Sequence, residues 1–294
     1  MGRTCLAPLI GVRGGVAGDF TITKTGDDAY MMVGSGAAER YHQRFFNMVA
    51  MPDATVLENV TSRIAGFNVA GPKAREMLQR LSNVDLSNAA WPFMHSRRID
   101  VGGIACLAIR VSFTGDLGWE LHCAEGDQSD LYSVLLQAAA AVEGGPVGGR
   151  ALGALRIEKG YGSWGREYSP EYWPHESGMD RLIKLDKDFL HRDAYLKIKD
   201  KPAREKLTMF EIDITDNADA SGGEPIFRAD GTPVGRVTSG AFGYSVGKSL
   251  AIGYAGSGLV QAGDEVEIYI LGKPHVARVL DAPPFDACGE KLRN

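Results

Sequence analysis

The sequence lacks the patterns that mark several large classes of protein. Its four cysteines have no CxxC spacing, which is typical of reduced thiols rather than of a disulfide framework. Its six histidines show no i, i+4 pair, so no metal site is predicted. No G-x-G-x-x-G fingerprint is present, so the chain is not expected to carry a flavin or nicotinamide domain.

Charge and hydropathy argue against two further classes. The 294 residues carry a formal net charge of −5 and no block of Lys or Arg, so no nucleic-acid partner is predicted. The apolar runs are too short to span a bilayer and residues 1–3 do not begin a signal peptide, so no membrane partner is predicted. With 44% hydrophobic and 23% charged residues, the composition is that of a globular protein, for which we expect a cytoplasmic location.

The hydrophobic pattern changes along the chain. Residues 14–33 alternate apolar and polar side chains around Thr25-Gly26-Asp27-Asp28, which predicts a β-hairpin. Residues 66–144 combine short strands with two helices of periodic apolar spacing, which predicts an αβ sandwich. A further helix is predicted at about 150–159, followed by an irregular stretch over 160–174.

From Lys206 onward the pattern is that of a small β-barrel. Its strands alternate, and hairpin turns are predicted at Asp230-Gly231 and at Gly272-Lys273-Pro274. A composition shift near Met51-Pro52-Asp53 suggests a domain boundary. The expected domains are a discontinuous first domain of residues 1–55 with 145–200, a sandwich of residues 56–144 and a barrel of residues 201–294.

The segment SFTGDLGWELH at residues 112–122 is the richest in chemical information. It predicts two short strands around a glycine turn, with Leu117, Trp119 and Leu121 on one face and Glu120 on the other. A carboxylate in that place can offer two oxygens to a flat ligand with adjacent N–H donors, such as a pterin or a guanine edge. For a lone glutamate, a surface strand facing water is the commoner arrangement.

Five blocks in order place this segment in a wider pattern. They are GGVAGD at 14–19, AGP at 70–72, FTGDLGWE at 113–120, LRIEKG at 155–160 with Trp164-Gly165, and GRVTSG at 235–240. Together they resemble the folate-binding aminomethyltransferase family, which includes the glycine-cleavage T-protein and the folate lobes of dimethylglycine and sarcosine dehydrogenases. The resemblance implies an α+β, three-lobed aminomethyltransferase-like fold with a C-terminal β-barrel, and tetrahydrofolate as the cofactor.

The resemblance also implies roles for particular residues. Asp19 matches the acidic residue beside the folate N5, and Thr21 shares its strand face as a folate-binding candidate. Glu120 matches the pterin anchor, and Phe113 stands where a tyrosine is usual and can still stack on the pterin. Arg181 replaces a folate-contacting aromatic residue and can pair with the glutamate carboxylates of the ligand. For Asp19 and Arg181, an exposed surface charge is the simpler alternative.

The implied function is a tetrahydrofolate-dependent transfer of an aminomethyl or methyl unit from a methylated amine or its iminium. A flavoprotein or a lipoyl-protein is the expected partner. Relatives usually carry several tens of residues before the Gly14-Gly15 block, so we expect a truncated start, a wall supplied by another subunit, or a degenerate site. The alternative is therefore a non-catalytic folate-binding, assembly or regulatory protein. We interpret Glu158, which lies on an apolar helix stripe, as a structural partner of an arginine or a backbone group.

Overall fold

The computed structural model describes residues 2–49, 51, 53–214 and 218–294, and the chain forms two compact units. Unit 1 comprises Met1–Cys5, Thr21–Gly148 and Cys288–Asn294, and unit 2 comprises Leu6–Phe20 and Gly149–Ala287. The division into three domains stays a prediction, and Pro52 at its first boundary lies outside the described residues.

Most of the first half of the chain belongs to a β-sheet and its covering helices. The elements are β1 (Gly2–Ile10), β2 (Val16–Lys24), β3 (Tyr30–Val33), α1 (Glu39–Asn47), β4 (Ile64–Ala70), α2 (Ala74–Gln79), β5 (His95–Val101), β6 (Ile104–Ile109), β7 (Gly118–Ala124) and α3 (Gln128–Ala140). The strands form one seven-stranded sheet in the order β3-β2-β1-β5-β6-β7-β4. The predicted hairpin is confirmed, because β2 pairs antiparallel with β3 across the predicted turn.

The core of unit 1 lies between β4–β7 and helices α2 and α3. The alternation along β7 buries Trp119 and Leu121, while the helix stripes bury Leu78 and Leu131. Full burial of such side chains stabilises the folded state by roughly 1.5–3 kcal/mol each. This apolar packing fixes β7 and leaves its other face for polar side chains.

The β5–β6 hairpin shows why glycine is needed at one of its turn positions. Gly102 and Gly103 form the two-residue turn with φ of +62° and +92°, a backbone that favours glycine at both positions. A Cβ atom on Gly102 would lie 2.4 Å from Cγ1 of Val134 in α3. A side chain at Gly102 would therefore require the hairpin or Val134 to shift.

The segment before β7 differs from its prediction. Residues 113–117 form a bend and Ser112 is not in a strand, so the first of the two predicted strands is wrong. The Ser112 and Thr114 hydroxyls lie 2.9 Å apart, Thr114 N–H donates to Ser112 Oγ at 3.2 Å, and Asp116 N–H donates to Thr114 Oγ1 at 3.3 Å. These side chains take the backbone donors that a strand would offer to a neighbour, and the chain turns instead.

In the second half of the chain, the described residues form four α-helices and six strands. The elements are α4 (Gly149–Glu158), α5 (Pro174–Ser177), α6 (Arg192–Leu196), β8 (Glu205–Ile212), β9 (Pro225–Phe227), β10 (Pro233–Gly243), β11 (Lys248–Gly256), β12 (Glu265–Ile270) and β13 (Lys273–Leu280), followed in unit 1 by α7 (Glu290–Arg293). The six strands close a barrel in the order β10-β11-β8-β13-β12-β9, which confirms the predicted C-terminal barrel. The second predicted hairpin turn lies at Leu271-Gly272, one residue earlier than expected.

Helix α4 packs against the barrel and carries buried charges at its end. Ile157 packs with Leu250 and Ile252 of β11. Glu158 is almost fully buried and accepts the N–H of Ser245 at 2.9 Å, so it serves the backbone, as interpreted from the sequence. Lys159 forms a buried ion pair with Asp286 at 2.9 Å.

The four cysteines are free thiols, in agreement with their spacing. Across the described ranges, no helix is long and apolar enough to cross a membrane. In the same ranges, no group of three or more His, Cys, Asp or Glu side chains is arranged to hold a metal ion.

Candidate functional site

Asp19 occupies a half-buried position on β2 in unit 2. Its Oδ1 atom is buried and accepts no hydrogen bond from any described residue. Burial raises the pKa of this carboxyl to about 6, although a hydrogen bond with its own backbone N–H opposes the rise. A carboxyl group with that pKa populates both protonation states near neutral pH, which suits it to proton exchange.

The loop that follows α4 runs beside the start of β2. The N–H of Val16 donates to the carbonyl of Tyr172 at 3.0 Å. A Cβ atom on Gly15 would lie 2.5 Å from the carbonyl oxygen of Pro170, so the two backbones approach as closely as glycine allows. This contact brings the loop over residues 160–172 alongside the strand that carries Asp19.

The pKa of Tyr168, in this loop, depends in part on the charges of two predicted site residues. Burial is the main reason that its pKa rises to about 12, and the negative charge of Asp19 raises it further. The positive charge of Arg181 acts in the opposite direction on the same pKa. Within unit 2, the charges of Asp19 and Arg181 therefore act in opposite directions on the pKa of one phenol.

A buried carboxylate anchors the loop beside Tyr168. Glu167 is fully buried, and its Oε2 accepts hydrogen bonds from Arg156 Nη1 and from Ser163 N–H, both at 2.9 Å. Its Oε1 accepts from the hydroxyl of Thr238 on β10 at 2.7 Å, and its carbonyl accepts from Tyr254 at 2.7 Å. Both carboxylate oxygens of Glu167 are thus occupied, and the loop is tied to the barrel.

A second buried carboxylate holds the segment that leads to Arg181. Glu176 accepts from Trp173 N–H at 2.8 Å and from Arg204 Nε and Nη2 at 2.8 Å and 2.6 Å. Burial alone would raise the pKa of Glu176, but the Arg204 guanidinium and the backbone donors together hold that pKa below its ordinary value. The Arg204 guanidinium also stacks over the Trp173 ring at 4.4 Å.

Arg181 itself is exposed and lightly bound. Its Nε donates to the carbonyl of Gly178 at 3.1 Å, which is its one hydrogen bond among the described residues. The two terminal nitrogens of its guanidinium are therefore available to an anionic group.

Glu120 lies in unit 1 on the face of β7 opposite the buried Trp119 and Leu121, as the alternation predicts. Its strand neighbours are Asn68 on β4 and Ile109 on β6. The Glu120 side chain is 22% exposed, and its Oε2 lies 3.7 Å from Nε2 of His122. A carboxylate with that partial exposure can accept donors from a ligand.

Phe113 and Thr21 also belong to unit 1. Phe113 is exposed at 37% and lies in the bend before β7 rather than in a strand. Thr21 is half-buried on β2 and pairs with Val33 of β3. The ligand contacts of Glu120, Phe113 and Thr21 stay predictions, as do those of Asp19 and Arg181.

Sequence reasoning missed Glu167, Tyr168 and His122. The first two lie just after the Trp164-Gly165 pair in a stretch with no helical or strand period, so no pattern indicates where their side chains point. The position of His122 could have been predicted from the alternation of β7, because residues i and i+2 of a strand share a face and Glu120 stands two positions earlier.

Family models match nearly all of the chain. The model described as the GCVT N-terminal domain matches residues 1–187, and the model described as the glycine cleavage T-protein C-terminal barrel domain matches residues 205–286. The chain therefore belongs to the glycine cleavage T-protein family, which confirms the resemblance drawn from the five sequence blocks.

Individual relatives agree with this membership. The chain is 31% identical over 270 residues to an aminomethyltransferase of Caldanaerobacter subterraneus subsp. tengcongensis, covering 91% of this chain and 71% of the relative. It is 32% identical over 287 residues to mitochondrial dimethylglycine dehydrogenase of Mus musculus, covering 96% of this chain. The chain spans about a third of the length of that dehydrogenase, 33%.

A solved structure supports the fold. The glycine cleavage system aminomethyltransferase T from Bartonella henselae superposes with a TM-score of 0.83 at 21% identity, covering 97% of this chain and 76% of that one. The predicted α+β, aminomethyltransferase-like fold with a C-terminal β-barrel is confirmed.

Proposed function

We propose that the chain is a tetrahydrofolate-dependent one-carbon transferase. It takes an aminomethyl or methyl unit from a methylated amine or its iminium, as in glycine cleavage or in the demethylation of dimethylglycine or sarcosine. The observation that carries the proposal is the Asp19 carboxyl, half-buried, with a pKa of about 6 and a buried oxygen that accepts no hydrogen bond from the described residues. Membership of the T-protein family supplies the context.

The residues present fit a folate on two counts. The unsatisfied Oδ1 of Asp19 suits a ligand that brings an N–H group or a positive charge, because a buried acceptor without a partner is costly. The partly exposed carboxylate of Glu120 suits the N–H edge of a pterin, to which two oxygens can bind in one plane. Tetrahydrofolate supplies a nucleophilic nitrogen that accepts the one-carbon unit.

Side chains of the protein bind the ligand and stabilise the reacting groups. Asp19 in its ionised form stabilises positive charge on the reacting amine and takes up a proton at Oδ1. Glu120 orients the ligand by accepting its N–H groups, and Phe113 and Thr21 contribute to the ligand surface. Arg181 pairs with the ligand carboxylates through its terminal nitrogens. A flavoprotein or a lipoyl-protein delivers the one-carbon unit.

Two substitutions test binding and transfer separately. Calorimetry should show that Glu120→Ala abolishes tetrahydrofolate binding, whereas Glu125→Ala, a matched change at an exposed glutamate just after β7, keeps the wild-type affinity. Asp19→Asn should keep the binding and lose the transfer. Transfer is measured with an aminomethylated lipoyl-protein, or with sarcosine or dimethylglycine in the presence of the flavoprotein that oxidises them.

The outcomes also decide between the proposal and its alternative. Unchanged affinity in Glu120→Ala would remove the basis for the ligand assignment. Folate binding by the wild-type chain without transfer from any of these donors would favour a non-catalytic folate-binding, assembly or regulatory protein. The cytoplasmic location stays a prediction, and the mouse relative is named as mitochondrial.

A further inference from the structure

The imidazole of His122 lies beside the carboxylate that is proposed to bind the pterin. Nε2 of His122 lies 3.7 Å from Oε2 of Glu120, and the two residues share one face of β7 because they stand two positions apart on the strand. Their side chains are 12% and 22% exposed, so the contact is largely shielded from water. The interaction between the two groups is therefore stronger than it would be at a fully exposed surface.

The neighbouring strands leave a place for the imidazole ring. The register partners of His122 are Gly66 on β4 and Leu107 on β6. A Cβ atom on Gly66 would lie 3.4 Å from Nδ1 and 3.7 Å from Cε1 of His122, so the ring occupies the space that a side chain at Gly66 would otherwise fill. The absence of a side chain at Gly66 therefore lets the imidazole lie flat beside β4, next to Glu120.

Nε2 of His122 is buried and has no hydrogen-bond partner among the described residues. A buried polar atom without a partner is costly, and Oε2 of Glu120 is the charged group placed against it. Their separation of 3.7 Å is too long for a hydrogen bond, but a side-chain shift of less than about 1 Å brings it into the normal range. The ring proton belongs on Nε2, because a lone pair there would face a negative carboxylate. His122 is therefore a donor directed at Glu120.

From this geometry we infer that His122 is a positioning residue for Glu120: its Nε2–H group donates to Oε2 and holds the carboxylate ionised and in one orientation. A carboxylate can accept about four hydrogen bonds, so one bond from His122 leaves enough acceptor sites for two ligand donors in one plane. A carboxylate that is fixed before the ligand arrives also loses less side-chain entropy on binding. The effect on ligand binding rests on the proposed function, whereas the pairing of His122 with Glu120 does not.

Nitrogen NMR of the imidazole tests the pairing without a ligand. In protein labelled with ¹⁵N-histidine at about pH 8, where histidine side chains are ordinarily neutral, we expect Nε2 of His122 to carry the proton. The signals of His122 are those missing from His122→Gln. Glu120→Ala should shift them because it removes the acceptor, whereas Glu125→Ala, at an exposed glutamate just after β7, should leave them in place. A bare Nε2 in the wild type, or signals that Glu120→Ala does not move, would overturn the inference.

Calorimetry with tetrahydrofolate measures the effect on ligand binding. His122→Leu lacks the donor and should bind tetrahydrofolate about 2- to 12-fold more weakly, which corresponds to the net contribution of one hydrogen bond. His122→Gln supplies an amide N–H group of similar reach and should restore the affinity to within about twofold of wild type, which a merely structural role of the ring would not predict. His95→Leu, the same change at a histidine on the opposite face of the sheet, is the matched control and should bind like wild type.

The two measurements separate this inference from the proposed function. An NMR response to Glu120→Ala in a wild-type chain that binds no tetrahydrofolate would support the pairing and contradict the proposed function. Tetrahydrofolate binding that is lost in Glu120→Ala but unchanged in His122→Leu would keep the proposed function and overturn the positioning role. If His122→Leu does not fold, the NMR comparison of wild type with Glu120→Ala still decides whether the two side chains are paired.

Discussion

Replacing Asp19 with Asn should remove one component of the pH dependence of folding stability. Burial raises the pKa of this carboxyl from an ordinary 3.8 to about 6, so the folded chain binds the proton more tightly than the unfolded chain does. The stability that Asp19 contributes is therefore fully present below about pH 3.8 and is lost as the pH rises through about 6. At about 1.4 kcal/mol per pH unit, the loss amounts to about 3 kcal/mol.

Asparagine does not ionise, so the variant does not suffer this loss. The free energy of unfolding of Asp19→Asn minus that of wild type should rise by about 2.5 kcal/mol between pH 4 and pH 8. Urea denaturation at one-unit pH steps measures the difference. Asp27→Asn, at an exposed aspartate in the β2–β3 turn, is the control and should differ from wild type by less than about 0.5 kcal/mol throughout. A difference between Asp19→Asn and wild type that does not change with pH would refute the burial of the ionised group.

Three further substitutions test buried ion pairs and close packing elsewhere in the two units. Glu167→Gln should lower the free energy of unfolding by about 3 kcal/mol or more, because it leaves the buried Arg156 guanidinium without its anion; a loss under about 1 kcal/mol in urea denaturation would contradict this. Arg204→Ala should lose more stability relative to wild type at neutral pH than at pH 4, because the low pKa of the buried Glu176 depends on the Arg204 guanidinium. Equal losses at both pH values would argue against the pairing. Gly102→Ala should cost more stability than the roughly 1–2 kcal/mol expected of Gly103→Ala. Both positions have a positive φ, but a Cβ atom at Gly103 would meet no atom within 4 Å. Equal melting temperatures for the two variants would show that the contact of Gly102 with α3 relaxes freely.

Local periodicity accounts for the parts of the fold that the sequence predicts well. The β2–β3 hairpin, the apolar stripe of α3 and the alternating strands of the barrel each bury one face, and burial imposes a period of 2 or 3.6 on the side chains. Their predicted positions match the structure because the pattern and the packing have the same cause. The same reasoning correctly puts Glu120 on the face of β7 away from the core.

Two features follow from interactions that periodicity does not encode. The bend at Ser112–Thr114 arises from hydroxyl groups that capture backbone donors, and such local bonds override an alternating pattern. The course of the loop over residues 160–172 alongside β2 depends on the hydrogen bonds of Glu167 and on the backbone contact at Gly15. Contacts of that kind join residues far apart in sequence, so neither residue alone indicates the other.

Whether this chain binds tetrahydrofolate through Glu120 can be measured by calorimetric titration. We expect a single saturable site in the wild-type protein that is lost in Glu120→Ala and retained in Glu125→Ala and in Asp19→Asn. Absence of saturable binding to the wild-type chain, or equal affinity in all four proteins, would contradict it.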